Sequence, residues 1–128
     1  MKDIVAILQE QNFFRAIGPV TADQIKEAEQ ELGLKFSDEY RQYIKNLGVA
    51  TFEGHEFTGI CSFKRLNVVN VTKEEREYHP EIPSDWYVVE QLNIDGMVIW
   101  QTRDGSIYLN GSKKMADSLA EYVRTCAQ

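Results

Sequence analysis

Hydrophobic side chains in the first part of the chain recur every three or four positions, a spacing that predicts amphipathic helices. The first such segment covers residues 3–16, and Gly18-Pro19 ends it. The second begins at Thr21, which forms a capping-box pair with Gln24 three residues later. Gly33 then supplies the left-handed residue that ends this helix. The pattern therefore predicts two short helices before residue 34.

A third helix is predicted between Ser37 and Gly48. Ser37 is a favourable N-cap residue, and the acidic pair Asp38-Glu39 lies in the first turn, where the helix dipole favours anions. The apolar positions of this helix are Tyr40, Tyr43, Ile44 and Leu47. Their spacing of i, i+3, i+4 and i+7 indicates a helix that packs on a core and not a catalytic site.

Beyond Gly48 the hydrophobic pattern changes to the short runs that are typical of β-strands. Residues 52–63 form the first run, in which Cys61 is expected to be a buried, inert thiol. Asp95-Gly96 and Asp104-Gly105 separate later runs, and Asp-Gly between apolar runs is a strong hairpin signal. The later runs are residues 86–92, 97–102 and 106–110.

Two more helices are predicted in the second half of the chain. Thr72 and Glu75 form another capping box, so a short helix is expected to start at Thr72 and to end before Pro80. Residues 112–126 carry one apolar face and predict a C-terminal helix. The order of elements predicts an α+β fold, an antiparallel β-sheet meander with N-terminal helices and a C-terminal helix packed against one side of it.

Length and charge narrow the class of protein. A chain of 128 residues predicts a single domain over residues 1–128. Twenty acidic against fourteen basic side chains give a net charge of −6, which argues against nucleic-acid binding and suits a basic partner. The longest apolar run, residues 4–8, is far shorter than the ~20 residues of a membrane span. The first residues lack the features of a signal peptide, so a cytoplasmic location is expected.

Candidates for catalysis or metal binding are few. His55-Glu56 begins like a zinc-protease motif, but Gly59 stands where the second histidine would be needed. No pair among the histidines and cysteines has zinc-ligand spacing, so no metal or other cofactor is expected. A nucleophile pair of Cys61 with a histidine, and a glycosidase-like pair of carboxylates beside a tryptophan, stay open as alternatives. Solvated acids and core tryptophans are the simpler interpretation.

Residues 25–48 and the strand after them resemble the N-terminal signature of the SUKH superfamily, the Smi/Knr-like proteins. The matching residues are Ala28-Glu29, Leu32-Gly33, Phe36-Ser37, Tyr40, Tyr43-Ile44, Gly48, Phe52, Gly54 and Gly59-Ile60. Later, Ile82-Pro83 and the hairpin of residues 104–109 also fit the layout of the family, so the resemblance spans nearly the whole chain. Ser37 stands where the family often has proline, and Val49-Ala50 replaces a glycine-rich turn.

The resemblance implies a function in binding and not in catalysis. Bacterial members of this family look like cytoplasmic immunity proteins, which neutralise toxin domains of the polymorphic or LXG type, many of them nucleases. The chain is accordingly expected to be a non-enzymatic antitoxin that occludes the active site of a cognate toxin, with a nuclease as the expected class. It is not expected to bind nucleic acid or membranes. The alternative is a ligand-binding or scaffolding adaptor, and the oligomeric state is left open.

The residues expected to contact the toxin are acids from two segments, together with one aromatic anchor. An acidic surface around such an anchor matches the basic surface of a nuclease. The predicted set is Glu53, Glu56, Glu74, Glu75, Glu77, Glu81, Asp85 and Trp86. The alternative interpretation is that these are ordinary solvated acids, because such side chains are common on protein surfaces.

Overall fold

A computed structural model of the protein describes residues 3–92, 94 and 96–126. In this part of the chain, helices frame two groups of β-strands. The α-helices are α1 (Ile4–Gln9), α2 (Ala22–Leu32), α3 (Asp38–Leu47), α4 (Val68–Tyr78) and α5 (Leu119–Cys126). The strands are β1 (Arg15–Ala16), β2 (Ala50–Phe52), β3 (His55–Glu56), β4 (Tyr87–Gln91), β5 (Val98–Gln101), β6 (Ile107–Leu109) and β7 (Lys113–Ala116).

The strands form two antiparallel sheets. The smaller sheet has the order β1-β2-β3, and the larger one is the meander β4-β5-β6-β7. Phe57 bridges Glu90 of β4, and the N–H of Thr58 donates to the carbonyl oxygen of Val89 at 2.7 Å, so the two sheets are joined. The predicted α+β class, with an antiparallel meander between N-terminal helices and a C-terminal helix, is confirmed.

Both faces of the meander are covered, whereas the prediction placed helices on one side. One face contributes Tyr87, Val89 and Ile99 to the main core, which also contains side chains of α1, α3 and α5. The opposite face carries a smaller apolar cluster of Val71, Ile82, Val88, Val98 and Trp100, in which Val71 comes from α4. Because β4 and β5 are apolar at consecutive positions, both of their faces need cover from water.

The ends of α2 and α3 are those that the local sequence predicts. The N–H of Gln24 donates to the Thr21 hydroxyl at 3.1 Å, and the N–H of Thr21 donates back to the Gln24 side chain at 2.9 Å. Gly33 has a φ of 68°, and its left-handed conformation ends α2. The Ser37 hydroxyl accepts a hydrogen bond from the N–H of Tyr40 at 3.0 Å. The capping box and both caps are therefore confirmed.

Helix α1 is shorter than predicted. It ends at Gln9, although the pattern predicted a helix over residues 3–16. Phe13 has a φ of 61°, which a helix does not permit. Arg15 and Ala16 instead pair with β2, and these cross-strand hydrogen bonds replace those of a longer helix. Tertiary pairing thus overrides the helical spacing of the apolar residues.

The C-terminal segment contains a strand that the apolar pattern does not predict. The predicted helix over residues 112–126 is divided into β7 and α5, because residues 113–116 pair with β6. The hairpin predicted at Asp104-Gly105 is confirmed, and the N–H of Gly105 donates to the carbonyl oxygen of Thr102 at 3.0 Å. Asp95, in the other predicted hairpin, lies outside the described residues.

A carboxylate of α3 caps the first turn of α5. Glu39 accepts hydrogen bonds from the N–H groups of Leu119 at 2.6 Å and Ala120 at 2.9 Å. The first N–H groups of a helix have no partner inside the helix, so an acceptor is needed there. Glu39 also accepts a hydrogen bond from the amide of Gln101 at 3.3 Å. One side chain therefore ties α5 and β5 to α3.

We expect Glu39→Ala to lower the free energy of unfolding by about 1–2 kcal/mol, since it removes the acceptor from a helix N-terminus. Urea denaturation followed by circular dichroism measures this loss. Asp38→Ala is the matched control, because the neighbouring Asp38 side chain is fully exposed, at 103% relative exposure. Equal losses in the two variants would contradict the capping role of Glu39.

Candidate protein-binding surface

Helix α4 carries three of the eight predicted contact residues, and the loop that follows it carries three more. The helix begins at the N-cap Asn67, whose side chain accepts hydrogen bonds from the N–H groups of Val69 and Asn70. The predicted start at Thr72 is wrong. Thr72 is buried within the helix, and its hydroxyl accepts a hydrogen bond from the N–H of Val88 at 3.0 Å. The predicted end before Pro80 is confirmed.

The loop of residues 79–86 is held against α4 by Arg76. The guanidinium group donates to the carbonyl oxygen of Leu32 at 3.1 Å and to that of Ser84. Partial burial lowers the pKa of Arg76, but a guanidinium group stays charged under all ordinary conditions. Ile82 anchors the middle of the loop in the smaller apolar cluster. The loop and the helix therefore present their outer side chains from fixed positions.

Exposed acids flank an exposed tyrosine in the sequence at the end of α4 and in the loop that follows. Tyr78 has 70% relative exposure. Glu74 lies one turn before it and Glu77 directly before it, and Glu81 follows in the loop. Glu81 lies 3.6 Å from a ring nitrogen of His79. We call Glu74, Glu77, Tyr78, Glu81, Asp85 and Trp86 the α4 surface.

The edge of the α4 surface is formed by two stacked aromatic rings. The rings of Trp86 and Tyr108 have centroids 4.8 Å apart and an interplanar angle of 28°. Beside them lies an open depression of about 560 Å³, which Asp85, Arg103 and Asp104 also line. Tryptophan, tyrosine and arginine are the residue types that most often dominate binding energy at protein interfaces. The depression could accept a side chain of a partner.

Glu75 belongs to the predicted set but does not lie on this surface. Its relative exposure is 8%, and its carboxylate accepts a hydrogen bond from the amide of Gln91 at 3.3 Å. It therefore faces the sheet and not the solvent. A partner could reach Glu74 and Glu77, which are exposed on the same helix, without displacing any core residue.

Glu56 lies in β3 of the smaller sheet and Glu53 in the turn between β2 and β3, apart from α4. The exposed Glu53 accepts a hydrogen bond from Asn12 at 2.9 Å. Glu56 forms a two-pronged ion pair with Arg65, at 2.8 and 2.9 Å, and this contact lowers the pKa of Glu56. Within the described ranges, no hydrogen bond or ion pair links these two acids to the α4 surface. The predicted set is thus divided between two regions.

The α4 surface has the chemistry of a site that recognises basic groups. It holds four exposed carboxylates, and residues 73–86 contain two basic side chains. Of those two, Lys73 lies 3.4 Å from Glu31, and Arg76 binds backbone carbonyl groups. Carboxylates form strong hydrogen bonds with lysine and arginine, and a tyrosine ring can pack against the same cations. The arrangement therefore suits a lysine- or arginine-rich partner surface.

Comparison with known proteins identifies the family. The sequence model of the family described as SMI1-KNR4 cell-wall (SUKH_5) matches residues 1–128. The chain belongs to the SMI1-KNR4 family. This confirms the resemblance that the sequence motifs indicated, and it is consistent with the protein-binding function of an immunity protein. A search of curated protein sequences gave no match.

None of the helices described for this SMI1-KNR4 domain has the length and apolar character needed to cross a membrane. Both cysteines are free thiols. Cys61 lies in a bend and is only partly buried, whereas the sequence pattern predicts a buried position in a strand. Its partial burial raises the pKa of its thiol, so the thiol is mainly protonated at neutral pH.

Two aromatic residues of the SMI1-KNR4 domain were missed as surface residues. Tyr78 follows Val71 by seven positions, a spacing that predicts the buried face of a helix. The helix ends at Tyr78, so the side chain projects into solvent instead. Tyr108 lies in a predicted strand, and only the pairing of β6 shows that it meets Trp86. No local signal in the sequence could have identified either position.

Proposed function

We propose that this SMI1-KNR4 domain is an immunity protein that binds a cognate toxin domain through the α4 surface and blocks the active site of that toxin. The domain performs no chemistry of its own in this role. Family membership supports the general class of function. The observation that carries the proposal is an exposed Tyr78 at the end of a helix that is anchored on its other face, together with four exposed carboxylates in that helix and in the loop that follows.

The proposed target is a nuclease. An enzyme that holds a polyanionic substrate needs clustered lysine and arginine side chains around its catalytic groups. The positive field of these side chains also attracts a negatively charged protein. This attraction raises the association rate and favours partners of complementary charge. The α4 surface would therefore compete directly with the substrate. An interface of about 800 Å² on each partner is sufficient for a specific complex.

Co-expression tests this proposal. The toxin domain encoded beside this gene is expressed in bacteria with and without the immunity domain, and growth is recorded. We expect growth to be rescued, and we expect the two purified proteins to elute as one complex in size-exclusion chromatography. The purified nuclease should also lose its activity on nucleic acid when the domain is added. Equal killing in both cultures, with no complex, would refute the proposal.

A ligand-binding adaptor is the second candidate. A depression of about 660 Å³ lies between α2 and α3, and Ala22 and Ile25 form part of its wall. Charged side chains surround this apolar part, including Lys26, Glu29 and Arg41. Binding of a small ligand at this depression, together with no effect on the neighbouring toxin, would favour the adaptor. The growth experiment thus separates the two candidates.

A further inference from the structure

Three side chains from distant parts of the sequence meet where the small sheet, the meander and α5 come together. His55 lies in β3, Glu90 in β4 and Cys126 at the end of α5. One potential ligand atom from each of them lies within 4.8 Å of the other two. A ring nitrogen of His55 lies 2.7 Å from a carboxylate oxygen of Glu90. The group combines one nitrogen, one oxygen and one sulfur ligand.

We propose that His55, Glu90 and Cys126 form a binding site for a divalent transition-metal ion, with Zn²⁺ as the ion that best matches these ligands. Zinc binds imidazole nitrogen, carboxylate oxygen and thiolate sulfur at about 2.0–2.3 Å. Ligand atoms around a tetrahedral ion at such distances lie roughly 3.4 Å apart. An ion between the three groups would require only small movements of the side chains.

The surroundings of the three groups already orient them. The Tyr122 hydroxyl donates to the second carboxylate oxygen of Glu90 at 2.7 Å, so the first oxygen remains directed towards His55. The His55 ring stacks on Phe52, with centroids 5.3 Å apart. Hydrogen bonds of this kind to a ligating carboxylate commonly fix its orientation in metal sites. The site is therefore largely preformed.

The buried carboxylate gives a reason for a cation at this position. Glu90 has 2% relative exposure, and no lysine or arginine in the described part of the chain forms an ion pair with it. A buried charge is costly unless it is paired or coordinates a metal ion. A bound cation would neutralise Glu90 more completely than the contacts with His55 and Tyr122 do.

The site also has a route for the ion and room for a further ligand. The His55 side chain has 25% relative exposure, and Cys126 is partly exposed at the end of α5. Three protein ligands leave one position of a tetrahedral ion for water or for a group of a partner. Burial raises the pKa of Cys126 to about 11, so metal binding must release the thiol proton. This inference does not depend on toxin binding.

Metal titration of the tag-free protein tests the site. Zn²⁺ binding is measured by isothermal titration calorimetry, and Co²⁺ serves as a spectroscopic probe. We expect one ion for each chain, together with a thiolate-to-cobalt charge-transfer band and the ligand-field bands of a tetrahedral complex. His55→Ala and Cys126→Ser should each weaken binding by at least about tenfold, as even the loss of a group that orients a ligand does.

The chain supplies matched controls, because it contains two histidines and two cysteines. His79→Ala and Cys61→Ser should leave the affinity and the cobalt spectrum unchanged. Circular dichroism establishes whether each variant is folded. If a variant does not fold, the cobalt spectrum of the wild-type protein decides whether a thiolate binds the ion. The proposal would be overturned if the protein bound no ion or if the cobalt spectrum lacked the thiolate band. It would also be overturned if both His55→Ala and Cys126→Ser bound the ion as tightly as the wild type.

Discussion

Gly59→Ala should prevent the domain from folding stably. A methyl group on Gly59 would lie 1.7 Å from the carbonyl oxygen of Gly48 and 2.8 Å from its carbonyl carbon. Both atoms belong to the backbone, so no side-chain rotation relieves the clash. The same oxygen accepts a hydrogen bond from the N–H of Ile60 at 3.1 Å, which holds the two segments together.

The cost of this substitution should exceed about 4 kcal/mol, a value that only a few mechanisms reach, severe overpacking among them. Small domains have a total stability of only about 5–15 kcal/mol. Far-ultraviolet circular dichroism and urea denaturation measure the outcome. We expect a largely unfolded protein, or one with a much lower denaturation midpoint than the wild type.

Gly54→Ala is the control for this prediction. Gly54 has a φ of 83°, but an added methyl group there meets no atom within 4 Å. Its substitution should cost roughly 1–2 kcal/mol, from backbone strain alone. A Gly59→Ala variant as stable as Gly54→Ala would show that the close approach between Gly48 and Gly59 does not constrain the fold.

Tyr78→Ala is expected to weaken the proposed toxin complex by roughly 30-fold or more, the equivalent of about 2 kcal/mol. A tyrosine with carboxylates close to it in the sequence can bury its ring against the partner while the acids bind cations of that partner. Isothermal titration calorimetry with the purified toxin domain measures the dissociation constant. Glu74→Lys, Glu77→Lys or both should also slow association, because they reverse charge in the field that attracts a basic partner.

Two controls distinguish a specific surface from a general loss of exposed groups. Phe63 is also an exposed aromatic residue, with 61% relative exposure, but it lies outside the α4 surface. Phe63→Ala should leave the affinity unchanged. Glu27, an exposed acid of α2, gives the charge control Glu27→Lys. If Tyr78→Ala and Phe63→Ala change the affinity equally and the complex still forms, the toxin does not bind through the α4 surface. The immunity function itself would not be refuted by that result.

Local signals in the sequence were sufficient to predict where α2 and α3 begin. Thr21, Gln24 and Ser37 bond to backbone groups three residues away, so their hydrogen bonds are encoded in short segments. The start of α4 was wrong for the opposite reason. The Thr72 hydroxyl bonds to Val88, sixteen residues away, and Asn67 caps the helix instead.

Strand β7 could not be predicted from the sequence, because it depends on pairing between distant segments. The same is true of the buried position of Glu75 and of the group His55, Glu90 and Cys126. Residues 113–116 fit the apolar period of a helix, and only their register with β6 makes them a strand. The exposed acids at the end of α4 follow from sequence, but the burial of Glu75 depends on Gln91 of β4. Similarly, His55 and Cys126 are not separated by a number of residues that is typical of metal ligands. Only folding brings them together with Glu90.

The contact of Glu39 with Leu119 and Ala120 joins residues 80 and 81 positions apart. Helix α5 also packs against α1, the first helix of the chain. During synthesis, a nascent chain still attached to the ribosome would have α1 and α3 available, but their partner would remain inside the exit tunnel. The main core therefore closes only after α5 itself has left the tunnel, and truncation before α5 should yield a product that proteases degrade.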